Sequence, residues 1–282
     1  MWGQSSKFEV VGKTTCSVEI SAALAKHYGK KTLLIDLDPQ ASATFYVMEQ
    51  AFWHKWKEVR GSTYNIFEQR SSSFPIKNAI VSDVVANKTP VFGFDLLPSN
   101  LDLVDVDLQL SDFVGHTILQ RCLDEVRDDY DYIICDCPPN FNPVTKNSLW
   151  ASDACVVPTV PDFLSTYGIA LLQRSVNKLF AISKGISFTG PVLGGIILTR
   201  IKTGVKLHAN YCQQVRGDYP GNVFKHVISD SIVVANAPDN HIPISVIPNP
   251  KEKEYELQQQ FKAIAGEFIS RIHHISSRKN RL

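Results

Sequence analysis

The chain has 282 residues, 44% of them hydrophobic, and a formal net charge of +1. That length and apolar content allow one large domain or two small ones with a sizeable core. The near-zero charge excludes a global pull towards nucleic acid or an anionic membrane, so any such contact has to be a local patch. There is no signal peptide and no apolar run near the ~18 residues of a membrane span, so the expectation is a cytoplasmic chain without stable membrane insertion. Of the six cysteines, Cys16, Cys122, Cys135, Cys137, Cys155 and Cys212, only Cys135 and Cys137 are close in sequence. No paired C-x-x-C spacing suggests zinc, and they read as reduced, mostly buried thiols.

Met1 to Lys7 is mostly polar, and only Phe8, Val10 and Val11 offer strand-forming side chains. A phosphate-binding loop ordinarily follows a buried apolar strand of about five or six residues. The start therefore reads as truncated, or as a very short strand.

Gly12-Lys13-Thr14-Thr15 then runs into a helix. This is the second half of a phosphate-binding loop: a lysine for terminal phosphates, a hydroxyl for Mg2+, and a helix N-terminus whose free N–H groups face an anion. Four residues alone also fit an ordinary helix start capped by a threonine. The full pattern G-x-x-x-x-G-K-[ST] wants glycine where Lys7 stands, and Glu9, Val10 and Val11 fill the loop. Val10 and Val11 are β-branched and resist positive φ.

Thr14 to Tyr28 is expected to be a helix that Gly29 stops. Lys31 to Leu37 is a short apolar run ending in carboxylates, the signature of a buried parallel strand with its ligand edge at the C-terminal end. Residues 45–60 mix Phe45, Tyr46, Phe52, Trp53 and Trp56 with Lys55, Lys57 and Arg60. They suit either single-strand nucleic-acid stacking or a helix packed by its aromatics with a solvated basic face. Ser71 to Ser73 mark a loop, Phe92 to Leu97 a strand, and residues 101–128 a helical region in which Asp105, Asp107 and Asp112 form a solvated face.

Tyr130 to Pro139, YDYIICDCPP, is a continuous apolar strand that ends in Asp136 and stops at two prolines. Asp136 there could hold Mg2+ through water or cap the next turn, and its pairing with Gly12–Thr15 favours the metal. Ala154 to Val160 reads as a strand, Gly168 to Lys184 as a helix and Pro191 to Thr199 as another buried strand. The alternation argues for one α/β domain over residues 1–282, built on a doubly wound, mostly parallel sheet flanked by helices. Residues 251–275 read as a final amphipathic helix within a C-terminal segment 251–282, with Leu257, Phe261, Ile264, Phe268, Ile272 and Ile275 at spacings of three and four. It packs on the core or, less naturally, lies on a membrane. The tail Arg278-Lys279-Asn280-Arg281 is basic and either touches nucleic acid or frays.

With these stretches in view, the chain resembles the ParA/Soj family of partition ATPases, in the wider ParA–MinD group of deviant P-loop NTPases. The resemblance rests on Val11–Thr15, Leu33–Thr44 (LLIDLDPQASAT), Leu96–Leu103 (LLPSNLDL), Tyr130–Pro139 and Val156–Gly168 (VVPTVPDFLSTYG), and it continues through Gly195–Pro238. It implies an ATP-driven switch: a sandwich homodimer on ATP, nonspecific DNA binding in that state, and reset when a ParB-type partner stimulates hydrolysis. It implies that Val11, Gly12, Lys13, Thr14 and Thr15 bind ATP, with Lys13 on phosphates and Thr15 near the α-phosphate. It implies that Thr14 binds Mg2+, that Asp36 lies near the Mg2+ shell and that Asp136 is the metal-side aspartate. Lys13 and Asp38 would be catalytic, Asp38 by positioning the attacking water. A DNA-bound chain would be nucleoid-associated.

The chain departs from the family pattern where it matters for activity. The signature lysine's place, five before Lys13, is Phe8, and Glu9 and Val10 replace two glycines. The isoleucine-proline before the family's DNA-facing region is Ile228-Ser229 here. These departures keep open a degenerate member that acts as a binding or scaffold protein with lost or weak ATP turnover. A MinD-like membrane positioner is a third reading.

Overall fold

The computed structural model describes residues 12–68, 74–109, 117–182 and 190–279. Residues 1–11, the Ser71–Ser73 loop, part of the 101–128 region and the end of the basic tail lie outside them. In chain order the elements are α1 (Lys13–Tyr28), β1 (Thr32–Asp36), α2 (Ser42–Val47), α3 (Gln50–Arg60), α4 (Thr63–Glu68), α5 (Ile76–Ala79), β2 (Phe94–Leu97) and α6 (Leu103–Gln109). Then follow α7 (Ile118–Leu123), β3 (Tyr132–Asp136), α8 (Pro143–Ala151), β4 (Ala154–Thr159), α9 (Phe163–Ile182), β5 (Val192–Leu198), α10 (Lys206–Asp218), α11 (Ile232–Asn236) and α12 (Glu252–Lys279).

Each pairing between the described strands is parallel, and an isolated antiparallel bridge joins Val81 to Leu96 of β2. β1 is the middle of a three-stranded sheet, β2-β1-β3, and β4 pairs with β5. Parallel strands need helical crossovers, and those helices bury both faces, which is why Thr-Leu-Leu-Ile of β1 can be apolar without alternation. Leu34 points into a core with α1 and α12, while Leu33 and Ile35 point into a second core with Ile66, Phe67, Leu103 and Leu119. All three β1 residues are fully buried, each contributing about 1.5–3 kcal/mol of apolar burial.

α1 is clamped between sheet and C-terminal helix. Val18, Ala22, Ala23 and Leu24 have no exposed surface, and the small alanines let the backbones approach. Gly266 on α12 leaves room for the Tyr28 hydroxyl, which donates to the Lys262 carbonyl at 2.8 Å. Glu19 is buried in the same helix, and its carboxylate accepts from Tyr46 Oη, the Ile244 and Ser245 N–H groups and the Ser245 hydroxyl. Burial pushes its carboxyl up from the ordinary value, against those donors.

Two helical expectations shift. The helix expected from Gly168 begins at Phe163, because Asp162 accepts from the Ser165 N–H at 2.7 Å and caps the earlier start. Residues 45–60 break at Met48 and Glu49, both extended, giving α2 and α3. Trp53 serves packing: it is buried, with Phe45 edge-on at 5.0 Å and Lys57 over its ring, while Phe52 is half exposed. The region 101–128 is helical in its described parts, as α6 and α7, with a 3-10 turn at Arg127–Asp129. The final helix runs from Glu252, and its stripe of Leu257, Phe261 and Ile264 is buried in the core. No described helix is long and apolar enough to cross a membrane. All six cysteines are free thiols, and burial raises those of Cys16, Cys122, Cys135, Cys137 and Cys155 furthest.

Candidate nucleotide and metal site

Two strand ends and one helix start converge. β1 ends at Asp36 and β3 at Asp136, which are register partners across the sheet. The start of α1 lies against them: Thr14 Oγ1 donates to Asp136 Oδ2 at 2.8 Å, and Ser17 Oγ lies 3.0 Å from Asp136 Oδ1. Residues i and i+3 share a helix face, so one turn of α1 supplies a hydroxyl to each carboxylate oxygen. Ser17 also reaches the Lys13 carbonyl at 3.1 Å.

Asp36 organises the opposite side. Its Oδ2 accepts from both the N–H and the hydroxyl of Thr44 at 2.7 Å, and its Oδ1 accepts from the Asp38 N–H at 3.1 Å. The Thr44 hydroxyl accepts from the Ser99 N–H at 2.9 Å, and the Ser99 hydroxyl donates to the Asp38 carbonyl at 2.7 Å. Trp53 Nε1 donates to the Ser99 carbonyl at 2.9 Å. The Asp38 side chain is half-buried and accepts from the Gln40 N–H at 2.9 Å. The turn carrying Asp38 is thus fixed from β1, from α2 and from the end of β2.

Asp36 and Asp136 are 0% and 1% exposed. Burial, reinforced by the charge of Asp136, pushes Asp36 up to about 8. Burial likewise pushes Asp136 up to about 6, against the Thr14 and Ser17 hydroxyls; Asp38 adds to the rise and Lys13 opposes it. Two neighbouring buried carboxylates resist carrying full charge together, and a cation between phosphates and this edge would remove that penalty. Hydroxyl and carboxylate oxygens suit Mg2+, which binds through one or two carboxylates plus substrate phosphates. Among the described residues no cluster of three or more His, Cys, Asp or Glu side chains is arranged to hold a metal by itself.

Gly12 precedes α1 at φ 79° and ψ 24°, left-handed geometry that favours glycine. A Cβ there would stand 3.8 Å from Thr199, past the end of β5, so the constraint is conformational and not one of space. The structure therefore brings Gly12, Lys13, Thr14, Asp36, Asp38 and Asp136 to one edge, with Thr15 in the first turn of α1. Val11, like Phe8, Glu9 and Val10, lies outside the described residues. Sequence reasoning assigned nothing to Ser17, Thr44, Ser99 or Thr199. Ser17 had a local signal, one helical turn after Thr14; Thr44 answers Asp36 eight residues back, and Ser99 and Thr199 are set by folding partners far along the chain.

A parallel α/β sheet with this helix start against paired strand-end carboxylates is the fold of a P-loop NTPase. An AAA domain family profile matches residues 10–185. The sporulation initiation inhibitor protein Soj of Bacillus subtilis is 30% identical over 249 residues, 88% of this chain and 90% of that protein. The chromosome partitioning protein ParA of Caulobacter vibrioides is 27% identical over 268 residues, 93% of this chain and 90% of its own length. In three dimensions the chain matches a Cyanothece McdA variant in complex with ATP, with TM-score 0.72 and 20% identity over 93% of this chain and 92% of that one. It also matches a putative plasmid partition protein from Borrelia burgdorferi bound to AMPPNP, with TM-score 0.69 and 23% identity over 93% and 95%. These two structural likenesses concern the fold. The chain belongs to the ParA/Soj family of partition ATPases.

Proposed function

We propose that the chain is a ParA-like ATPase of plasmid or chromosome partitioning, which binds Mg-ATP, dimerises in that state, binds DNA nonspecifically and is reset by a ParB-type partner. The observation that carries this reading is the contact of Thr14 and Ser17 with Asp136, beside Asp36. Relatives named for partitioning support it. Val11 to Thr15 hold the nucleotide: Lys13 reaches the phosphates and Thr15 lies near the α-phosphate. Thr14 presents its hydroxyl to Mg2+, with Asp136 and Asp36 behind it. Mg2+, when bound, spreads the negative charge of the β- and γ-phosphate oxygens. Asp38, held on its clamped turn, orients the attacking water; such catalysis is chiefly positioning and charge stabilisation. DNA contacts would come from Lys and Arg on phosphates and weaken steeply with salt. The protein then works in the cytoplasm, on the nucleoid when DNA-bound.

A second reading, a binding or scaffold member without turnover, draws on Phe8, Glu9 and Val10 in the loop. The membrane-positioner reading draws no support from α12, whose apolar stripe is buried in the core. Calorimetry with Mg-ATP separates the first two. The chain as it stands is expected to bind, and Lys13→Ala to lose binding at least about tenfold, the loss of a charged phosphate contact. Binding only after Phe8→Lys, Glu9→Gly and Val10→Gly are combined would select the scaffold reading. No binding by either form would overturn the placement of the site.

A further inference from the structure

Glu19 is a fully buried carboxylate to which the nucleotide reading gives no task. Its Oε1 accepts from Tyr46 Oη and from the Ile244 N–H, each at 2.8 Å; its Oε2 accepts from the Ser245 N–H at 2.8 Å and from the Ser245 hydroxyl. None of these donors is a cation. An apolar side chain of the same size would fill this place without the cost of desolvating a charge, so packing alone does not account for a glutamate. What the carboxylate joins is more telling. Ile244 and Ser245 open a 3-10 turn, Ile244–Val246, that is fastened elsewhere as well. The Gln258 amide of α12 donates to the Ile244 and Ile247 carbonyls at 2.8 and 2.9 Å, and the Thr89 hydroxyl donates to the Val246 carbonyl at 3.0 Å. Glu19 is thus held on a fixed strap, and its bond to Tyr46 leads from that strap towards the site.

Tyr46 belongs to α2, which has six residues. That is far below the ~12–15 at which a helix persists alone, so its orientation is set by what grips it. Thr44 grips one side, with its N–H and hydroxyl both on Asp36 Oδ2 at 2.7 Å. Tyr46 grips the other, since residues two apart in a helix point about 200° apart. His241 adds a bond to the Phe45 carbonyl at 2.7 Å. The bonds close a ring. From Asp136 it passes through Thr14 into α1, from Glu19 to Tyr46 into α2, and from Thr44 to Asp36, the register partner of Asp136. Opening the ring at Glu19–Tyr46 removes a polar tie between the helix that bears Thr14 and the helix that bears Thr44.

We propose that Glu19 and Tyr46 are positioning residues for Mg2+: their bond sets the spacing between the Thr14 hydroxyl and the Asp36 carboxylate, the two sides that receive the cation. This rests on the reading of the edge as a Mg-ATP site. Neither residue touches nucleotide or metal. Mg2+ demands near-ideal octahedral geometry at about 2.0–2.1 Å, so a small shift of α1 against α2 is felt by the metal. Metal-free nucleotide makes no such demand, because Lys13 and the N–H groups at the start of α1 hold phosphates with looser geometry. Partners behind the first ligands of a metal typically cost about 10–100-fold in metal affinity when removed.

The test is ATP binding to the full chain by calorimetry, with and without Mg2+, and urea unfolding of the same samples. Tyr46→Phe keeps the ring and loses the hydroxyl. It should leave affinity without Mg2+ within about twofold and cut the Mg2+-dependent gain about tenfold. Thr89→Val is the control, since it frees the Val246 carbonyl on the far side of the strap. It should be less stable to urea by a similar amount, with the Mg2+-dependent gain intact. Glu19→Gln combined with Tyr46→Phe should lose no more of the gain than Glu19→Gln alone, because one bond carries both effects. A full gain in Tyr46→Phe overturns the proposal, as does an equal loss with and without Mg2+, which makes the bond structural. So does a Thr89→Val chain that loses as much of the gain as Tyr46→Phe, or a double variant in which the two losses add. Failure of the unaltered chain to bind ATP sinks the proposed function and the brace with it, whereas a normal gain in Tyr46→Phe sinks the brace alone.

Discussion

Asp136 accepts one hydroxyl on each carboxylate oxygen, and the two hydroxyls have different prospects. Thr14 has a lone pair to offer a cation while its proton stays on Asp136; Ser17 can only steady the carboxylate. Ser17→Ala removes a hydrogen bond to a buried charged group, worth about 1.5–3 kcal/mol. The expected outcome is ATP affinity without Mg2+ unchanged within about twofold, and a Mg2+-dependent gain in affinity cut about tenfold. Ser17→Thr should restore that gain. Nucleotide titrations with and without Mg2+ check this, and an equal loss in both would make Ser17 merely structural. The carboxylates of this site were legible in the sequence because each closes an uninterrupted apolar run, where only a ligand edge tolerates charge. The hydroxyls were not, because Ser17 and Ser99 gain meaning only from Asp136 and Asp38, distant in sequence.

At the scale of elements, α12 is latched to the segment after β5 through Glu267 and Arg271. Glu267 accepts from the Lys225 N–H at 2.9 Å and pairs with His226 and Arg271, while Arg271 donates to the Val223 carbonyl and lies over the Phe224 ring at 4.5 Å. Burial raises the Glu267 carboxyl, but the Lys225 N–H and Arg271 outweigh it and hold it below its ordinary 4.5. A lowered carboxyl stabilises the fold fully above the unfolded-state value, and the contribution disappears as pH falls through the folded one. Glu267→Gln should therefore be less stable to urea than the unaltered chain at about pH 7, with the gap closing as the pH falls below the ordinary carboxylate range. A gap that does not change with pH would mean the carboxylate's charge is not what matters. Long elements with strong periodicity, α1 and α12 among them, read cleanly from sequence. α8 was given no reading from the sequence, although Asn142 accepts from the Thr145 N–H at 2.8 Å and Pro143 opens the helix. α9 starts early because of a cap at Asp162, beyond the periodic stretch.

For the molecule as a whole, α1 is the shared element: it supplies the site's hydroxyls and is walled by sheet on one side and α12 on the other. The parallel, doubly wound plan was readable because β1 is apolar on both faces, and alternate residues do serve two separate cores. Which helices would close each face was not, since Gly266 and Glu19 take their roles from partners brought together only by folding. Removing residues 252–282 strips Leu257, Phe261, Ile264 and Ala265, all fully buried, from that core. At about 1.5–3 kcal/mol for each large side chain, the loss rivals the entire stability of a domain, so the shortened chain should not fold, as circular dichroism melts will report. A cooperative melt from the shortened chain would make the C-terminal segment a separable unit. Finally, the same close-knit interior gives the site an optical voice. The Trp53 indole is out of water and tied by its N–H to the carbonyl of Ser99, the residue whose hydroxyl grips the Asp38 turn. In a chain whose other three tryptophans, Trp2, Trp56 and Trp150, are replaced, its emission colour and lifetime become a gauge of that turn, readable in dilute solution with no dye attached.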